Sequence, residues 1–174
     1  MRSKDALARL QNAAVLWSIG SGTPADVIEA ACACLVAGVD SPTLRILAGI
    51  SPARGSESGE LRRWLEGALE ELSLTYHPEG SRAGEEEALQ IMARRLLAGT
   101  IAPRDLTSWA YGFITHDGTP LAAELINLEN TYDYIDAVYE GHKHTSSAAG
   151  DVDADVIAEA RLLIGGTTAE GEQG

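Results

Sequence analysis

The sequence predicts an all-α protein, a bundle-like single helical domain of about six to eight helices. Apolar residues recur at steps of three and four in most segments, which places them on one face of a helix. Alanine and leucine are abundant among the 174 residues, whereas aromatic residues make up only 5%. Residues that favour helix starts and ends separate the apolar segments, and no segment shows the alternation typical of a strand.

The first half of the chain predicts four helices, each preceded or followed by a boundary signal. Ser3, Thr23 and Ser41 are candidate caps, because their hydroxyl groups can accept hydrogen bonds from free N–H groups. Proline in the first turn strengthens the second and third starts. We expect helices over residues 4–19, 24–37, 42–48 and 60–72.

Two connectors interrupt this pattern. Residues 51–59 are rich in serine, glycine and proline and are expected to be mobile, and residues 74–84 predict a linker. The linker separates a near-neutral half from an acidic half, so a division of the chain into two subdomains near 74–84 is an alternative. Each half is short and carries no motif of its own, which favours one domain over 1–164 with a shared core. Residues 165–174 predict a flexible tail.

The second half predicts helices that begin at Glu85, Pro103, Pro120 and Asp151, with a loop over 142–150 before the last one. Glutamates at the first of these starts interact favourably with the helix dipole. Capping of the last helix explains its three opening aspartates, because a calcium loop needs glycine and glutamate where Val156 and Leu162 stand.

The clearest helical period lies between Pro120 and His144. One stripe is apolar and should be buried: Leu121, Leu125, Leu128, Tyr132, Ile135 and Tyr139. A second stripe is acidic: Glu129, Asp133, Asp136 and Glu140. No lysine or arginine between Pro120 and Gly141 offsets these like charges, so each pair costs a few tenths of a kcal/mol on an exposed helix. The stripe is either a binding face for a basic partner or divalent cation, or a solvated edge.

Charge is distributed unevenly along the chain. The formal net charge is −13, of which −2 falls on residues 1–84 and −11 on residues 85–174. Such a field repels phosphate backbones and anionic membranes, so we expect a basic protein partner, no nucleic acid and no membrane. No uncharged run could span a bilayer, and the unpaired Cys32 and Cys34 read as small core residues, which together favour the cytoplasm.

Two alternatives from other classes stay open. A metal-assisted hydrolase could use Glu140, His142 and His144, since imidazole and carboxylate groups are common ligands of transition metals. A structural subunit could form a homo-oligomer through an exposed apolar patch that includes Trp17 or Trp64. Phosphate-binding loops, nucleophile elbows and cofactor motifs are absent from the sequence, so no cofactor is predicted and an enzyme is less favoured.

Residues 86–164 resemble the small helical bacterial immunity proteins of the colicin D type. The resemblance rests on the order of Arg94 to Ile101, Asp105-Leu106, Trp109, the segment Tyr132-Asp133-Tyr134 and a final acidic helix. Proteins of that family block a toxic nuclease by covering its basic active site with carboxylates. The resemblance implies that role for Glu129, Asp133, Asp136 and Glu140.

Overall fold

The computed structural model describes residues 2–51, 55–114, 117–139 and 145–166. It confirms the all-α prediction, because the described residues form eight α-helices and no strand. Contacts divide the chain into two compact units, residues 1–84 and residues 85–174. The division falls at the C-terminal end of the predicted linker, and the single domain over 1–164 stays a prediction.

Unit 1 contains four helices. They are α1 (Ser3–Ser18), α2 (Pro24–Val36), α3 (Pro42–Ala48) and α4 (Glu57–Glu71). Helix α2 contacts the other three, and α3 contacts α4. Helix α4 begins three residues before the predicted start, so the end of the predicted 51–59 connector is helical; residues 52–54 of that connector lie outside the described residues.

The predicted caps of α2 and α3 are confirmed. Thr23 and Asp26 form a reciprocal capping box, in which the Thr23 N–H donates to Asp26 (2.9 Å) and the Asp26 N–H donates to Thr23 Oγ1 (3.2 Å). Ser41 Oγ accepts from the Leu44 N–H at 3.3 Å. Ser3 is not a cap but the first residue of α1, and its hydroxyl donates to the Ala37 carbonyl.

The core of unit 1 is apolar. It is built from residues of all four helices and includes Leu10, Val27, Leu44, Leu47, Leu61, Leu65 and Leu69. Cys34 belongs to this core, but Cys32 is exposed, so the prediction that both cysteines are core residues is wrong for Cys32. Cys32 and Cys34 are two positions apart on a helix, which turns their side chains to different faces.

Unit 2 contains α5 (Arg82–Leu97, which begins at the end of unit 1), α6 (Pro103–Phe113), α7 (Ala123–Tyr139) and α8 (Thr145–Gly165). Helices α6, α7 and α8 contact one another. A 3₁₀ turn, Pro120–Ala122, precedes α7, and Thr119 caps it by accepting from the Leu121 N–H at 3.3 Å.

The central prediction for α7 is confirmed in its middle and wrong at its ends. Leu125, Leu128, Tyr132 and Ile135 are buried, as the period of the stripe requires. Leu121 and Tyr139 are exposed because Leu121 lies in the 3₁₀ turn, outside the α-helical register, and Tyr139 lies at the last residue of α7.

Helix α8 begins six residues before the predicted start. The predicted 142–150 loop is therefore wrong for residues 145–150, which are helical. The aspartates at 151, 153 and 155 lie inside the helix and cannot cap it, so their predicted role is also wrong. The predicted tail falls mostly on residues 167–174, which lie outside the described residues.

Candidate interaction surface on α7

Arg104, near the start of α6, reaches across to the acidic stripe of α7. Its Nη1 lies 2.6 Å from Asp136 Oδ2, and its Nη2 lies 3.0 Å from Asp133 Oδ1. Its Nε lies 3.8 Å from Glu129 Oε1. One guanidinium group therefore holds three of the four predicted acids, an arrangement that its planar fork of donors suits well. The pKa of Arg104 is raised, chiefly by its hydrogen bond with Asp136.

Glu129 belongs to the interior rather than to the exposed face. Its side chain is only 10% exposed. The hydroxyl groups of Thr107 and Ser108 donate to its two oxygens at 2.5 and 2.8 Å. A buried carboxylate needs such donors, because an unpaired charge is costly to remove from water. Glu129 thus anchors α7 to α6 and cannot readily contact a partner.

Tyr132 extends the same network to α8. Its ring lies under Arg104, with the guanidinium carbon 5.1 Å from the ring centroid. Its hydroxyl donates to Asp153 of α8. Burial, followed by this hydrogen bond, raises the pKa of Tyr132, so the phenol stays protonated and acts as the donor. Arg104 and Tyr132 together tie the three helices at one place.

Asp133 and Asp136 remain accessible. Their side chains are 64% and 53% exposed, although both contact Arg104. Three carboxylates share one positive charge, so the group of four side chains carries a surplus of two negative charges. The exposed part of that surplus lies on Asp133 and Asp136, which Arg104 holds in place. We call Asp133, Asp136 and Arg104 the α7 surface.

Exposed apolar side chains lie elsewhere on the same helix. Tyr134 is 67% exposed and Val138 is 51% exposed, and their spacing of four residues places them on one face. This face is turned away from the buried stripe by the helical period. A partner that contacts α7 thus has carboxylates on one flank and apolar groups on another.

The remaining predicted site residues are not described. Glu140, His142 and His144 lie outside the described residues, so the fourth acid of the stripe and the alternative metal site both stay predictions. Across the ranges that are described, no three His, Cys, Asp or Glu side chains are grouped to hold a metal ion. No helix within those ranges has the length and apolar character needed to cross a membrane.

Trp17 and Trp64, the two tryptophans considered for an oligomer interface, are both half-buried. Arg62 lies over the ring of Trp17, and Arg63 lies over the ring of Trp64. Each ring is therefore partly covered by a cation from its own chain. The homo-oligomer stays a prediction.

Sequence reasoning missed three residues of the α7 surface and its support: Arg104, Thr107 and Ser108. They precede the acidic stripe by more than twenty residues, so the helical i, i+4 rule could not associate them with it. The one available signal is the place of Glu129 beside the buried stripe, where a carboxylate requires donors from a neighbouring helix. Glu85 is a second case, since it is 3% exposed and accepts from the Thr119 N–H at 2.8 Å.

Comparison with known proteins gives no relative from which a role could be transferred. No protein-family model, no curated protein and no solved structure matches the chain.

Proposed function

We propose that this protein binds a basic protein partner through the α7 surface. The observation that carries the proposal is the surplus negative charge at Asp133 and Asp136, which are exposed and held in position by Arg104. Fixed carboxylates lose little freedom when they meet a cation, which favours binding. A field of −11 over residues 85–174 adds long-range attraction for a basic surface.

Arg104 also limits how strongly a cation of the partner can bind to Asp133 and Asp136. A lysine or arginine of the partner shares the carboxylates with Arg104 rather than meeting bare charges. Each such exposed contact contributes at most about 1 kcal/mol, so the partner must also contact apolar surface for stable binding. Tyr134 and Val138 supply such surface on α7.

A toxin-neutralising role is the specific form of this proposal that the immunity-type resemblance favours. The partner is then a basic nuclease, and the α7 surface covers cationic groups that otherwise bind phosphate. Glu129 contributes to this form by supporting α7 from within, because its side chain is buried.

The test is capture of proteins from the host lysate with a matched pair of variants. The first variant, Asp133→Asn with Asp136→Asn, removes both charges and keeps oxygens that Arg104 can contact. The second, Glu66→Gln with Glu70→Gln, removes two charges from exposed acids of α4 in unit 1. Asparagine is preferred to lysine, because lysine would add positive charge beside Arg104.

The proposal predicts a basic protein that the wild type and the α4 variant retain, and that the α7 variant loses. The captured protein, once purified, should bind the wild type in a one-to-one complex that weakens as salt rises. A partner retained equally by both variants would contradict the proposal.

A further inference from the structure

A groove lies in unit 1 beside the C-terminal end of α1. It comprises two adjoining cavities of about 220 and 320 Å³, and both are lined by Trp17, Arg62 and Glu79. Leu65 and Tyr76 line the smaller one. The walls of the smaller cavity are mostly apolar, whereas those of the larger one are more polar, and this combination of apolar surface with placed polar groups suits a small ligand.

Arg62 supplies the guanidinium group that lines both cavities. Its guanidinium carbon lies 5.5 Å from the centroid of the Trp17 ring. Its Nε donates to Glu79 Oε1 at 2.7 Å. These two contacts fix the plane of the guanidinium. Its two Nη atoms have no hydrogen-bond acceptor among the residues that the structure describes.

Arg104 in unit 2 is a useful comparison for Arg62, because its contacts show which groups bind a guanidinium that lies over an aromatic ring. It also lies over an aromatic ring, and its Nε and both Nη atoms each face a carboxylate. Arg62 has the same aromatic support and one carboxylate, at Nε. A second carboxylate could form two parallel hydrogen bonds with the Nη atoms of Arg62 without breaking either existing contact. A cationic ligand would instead meet the guanidinium of Arg62 as a like charge, which disfavours its binding.

We propose that this groove binds a small carboxylate joined to an aromatic ring. The carboxylate pairs with the Nη atoms of Arg62, and the ring packs against the apolar wall formed by Leu65 and Tyr76. The groove shares no residue with the α7 surface, since all of its residues belong to unit 1.

The test is a titration of the full-length protein with phenylacetate, followed by NMR of the tryptophan indole N–H signals. The chain has three tryptophans, and Trp17→Phe identifies the signal of the groove. We expect saturable movement of the Trp17 signal alone, with a Kd of about 1–10 mM, as is usual for a ligand of so few atoms. Phenylacetamide, which has the same shape and no charge, should bind at least about tenfold more weakly.

A matched pair of variants locates the contact. Arg62→Gln should weaken phenylacetate binding at least about tenfold. Arg63→Gln, which removes the neighbouring guanidinium from the ring of Trp64, should leave binding unchanged. An unmoved Trp17 signal, equal binding of phenylacetamide, or unaltered binding by the Arg62 variant would each overturn the proposal, as would tighter binding of benzylamine.

The carboxyl terminus of a peptide carries the same chemistry as a free aromatic acid. N-acetylphenylalanine distinguishes the two sources, because it adds the peptide amide to the ring and carboxylate. Tighter binding than phenylacetate assigns the groove to peptide ends, and weaker binding assigns it to small free acids. Both results support the pairing of a carboxylate with Arg62.

Discussion

Arg62 in unit 1 and Arg104 in unit 2 each lie over an aromatic ring, but Arg62 pairs with one carboxylate whereas Arg104 pairs with three. The difference follows from where the acids lie. Glu79 belongs to an exposed segment after α4, whereas Glu129 projects from the buried side of α7. Unit 1 therefore keeps its charges around an apolar core, and unit 2 extends a charge network from its surface into its interior.

The two units thus use charged side chains in different ways. In unit 2 the guanidinium fixes carboxylates that remain accessible, so the surface is suited to a cation. In unit 1 the guanidinium itself remains accessible, so the groove is suited to an anion.

The apolar cores of the two units should behave alike. Leu10 in unit 1 and Leu125 in unit 2 are both fully buried. Leu10→Ala and Leu125→Ala should each lower the free energy of unfolding by about 2–5 kcal/mol, because each leaves a cavity in a packed core. Urea denaturation followed by circular dichroism measures both, and a loss below about 1 kcal/mol at either site would show that its core is not packed as described.

The two arginines should differ. Arg104→Met leaves Glu129 buried without its cation, so we expect a loss of about 1–3 kcal/mol, less than for a fully buried pair because Arg104 is 40% exposed. Arg62→Met should cost less than about 1 kcal/mol, because its pair with Glu79 is exposed. If urea denaturation showed equal losses of unfolding free energy for the two variants, Arg104 would be no more important to stability than Arg62.

Substitutions at the helix caps of the two units should change the free energy of unfolding by smaller amounts, with opposite signs. Thr23→Ala in unit 1 should cost about 1 kcal/mol, because it removes the oxygen that accepts from the Asp26 N–H. The corresponding position before α6 in unit 2 is Ala102, whose N–H donates to Asp105 at 2.8 Å but which has no side-chain oxygen to complete the box. Ala102→Ser should therefore raise stability by about 0.5–1 kcal/mol. Thermal melting of both variants tests the opposite signs.

The smallest expected difference between the units is in how the ionisation of one glutamate in each unit makes stability depend on pH. Burial, and then the charge of Glu124, raise the pKa of Glu159 in unit 2. The favourable contribution of protonated Glu159 is thus present below its ordinary pKa of 4.5 and is lost as pH rises through the raised value. In unit 1, hydrogen bonds from Thr43 and Ser41 lower the pKa of Glu71. Its contribution is present above the ordinary pKa and is lost as pH falls through the lowered value.

Glu159→Gln should therefore raise the melting temperature at neutral pH. This gain should disappear as the pH falls towards the pKa of a free glutamic acid side chain. Glu71→Gln should lower the melting temperature at neutral pH, with a loss that shrinks in acid. Asp155→Asn, at an exposed position of the same helix as Glu159, is the control and should change little. A gain from Glu159→Gln that persists in acid would show that the charge is not its cause.

Much of the fold could be predicted because its signals are local. The period of Leu125, Leu128, Tyr132 and Ile135 predicted the buried face of α7, and the hydroxyl groups of Thr23 and Ser41 predicted two helix starts. The start of α8 was placed too late, because serine and glycine over residues 145–150 have low helix propensity, which tertiary context overrides.

Less of the candidate site could be predicted, because its geometry depends on contacts between helices. Asp133 and Asp136 were identified from their spacing alone. Arg104 was not, since it precedes them by 29 and 32 residues and belongs to another helix. Its presence replaces a stripe of mutually repelling acids by a paired cluster with a smaller surplus of charge. The groove beside Trp17 gave no sequence signal, because Arg62 and Glu79 lie far from Trp17 along the chain.

The most direct test of the α7 surface needs no knowledge of the natural partner. A lysine-rich peptide is titrated into the full-length protein at low salt while backbone amide signals are followed by NMR. We expect the largest shifts at Asp133, Asp136 and their neighbours on α7, and we expect Asp133→Asn with Asp136→Asn to abolish them. Larger shifts at Glu66, Glu70 and Glu71 on α4 would contradict this expectation, because the surplus charge that attracts a basic partner would then lie in unit 1.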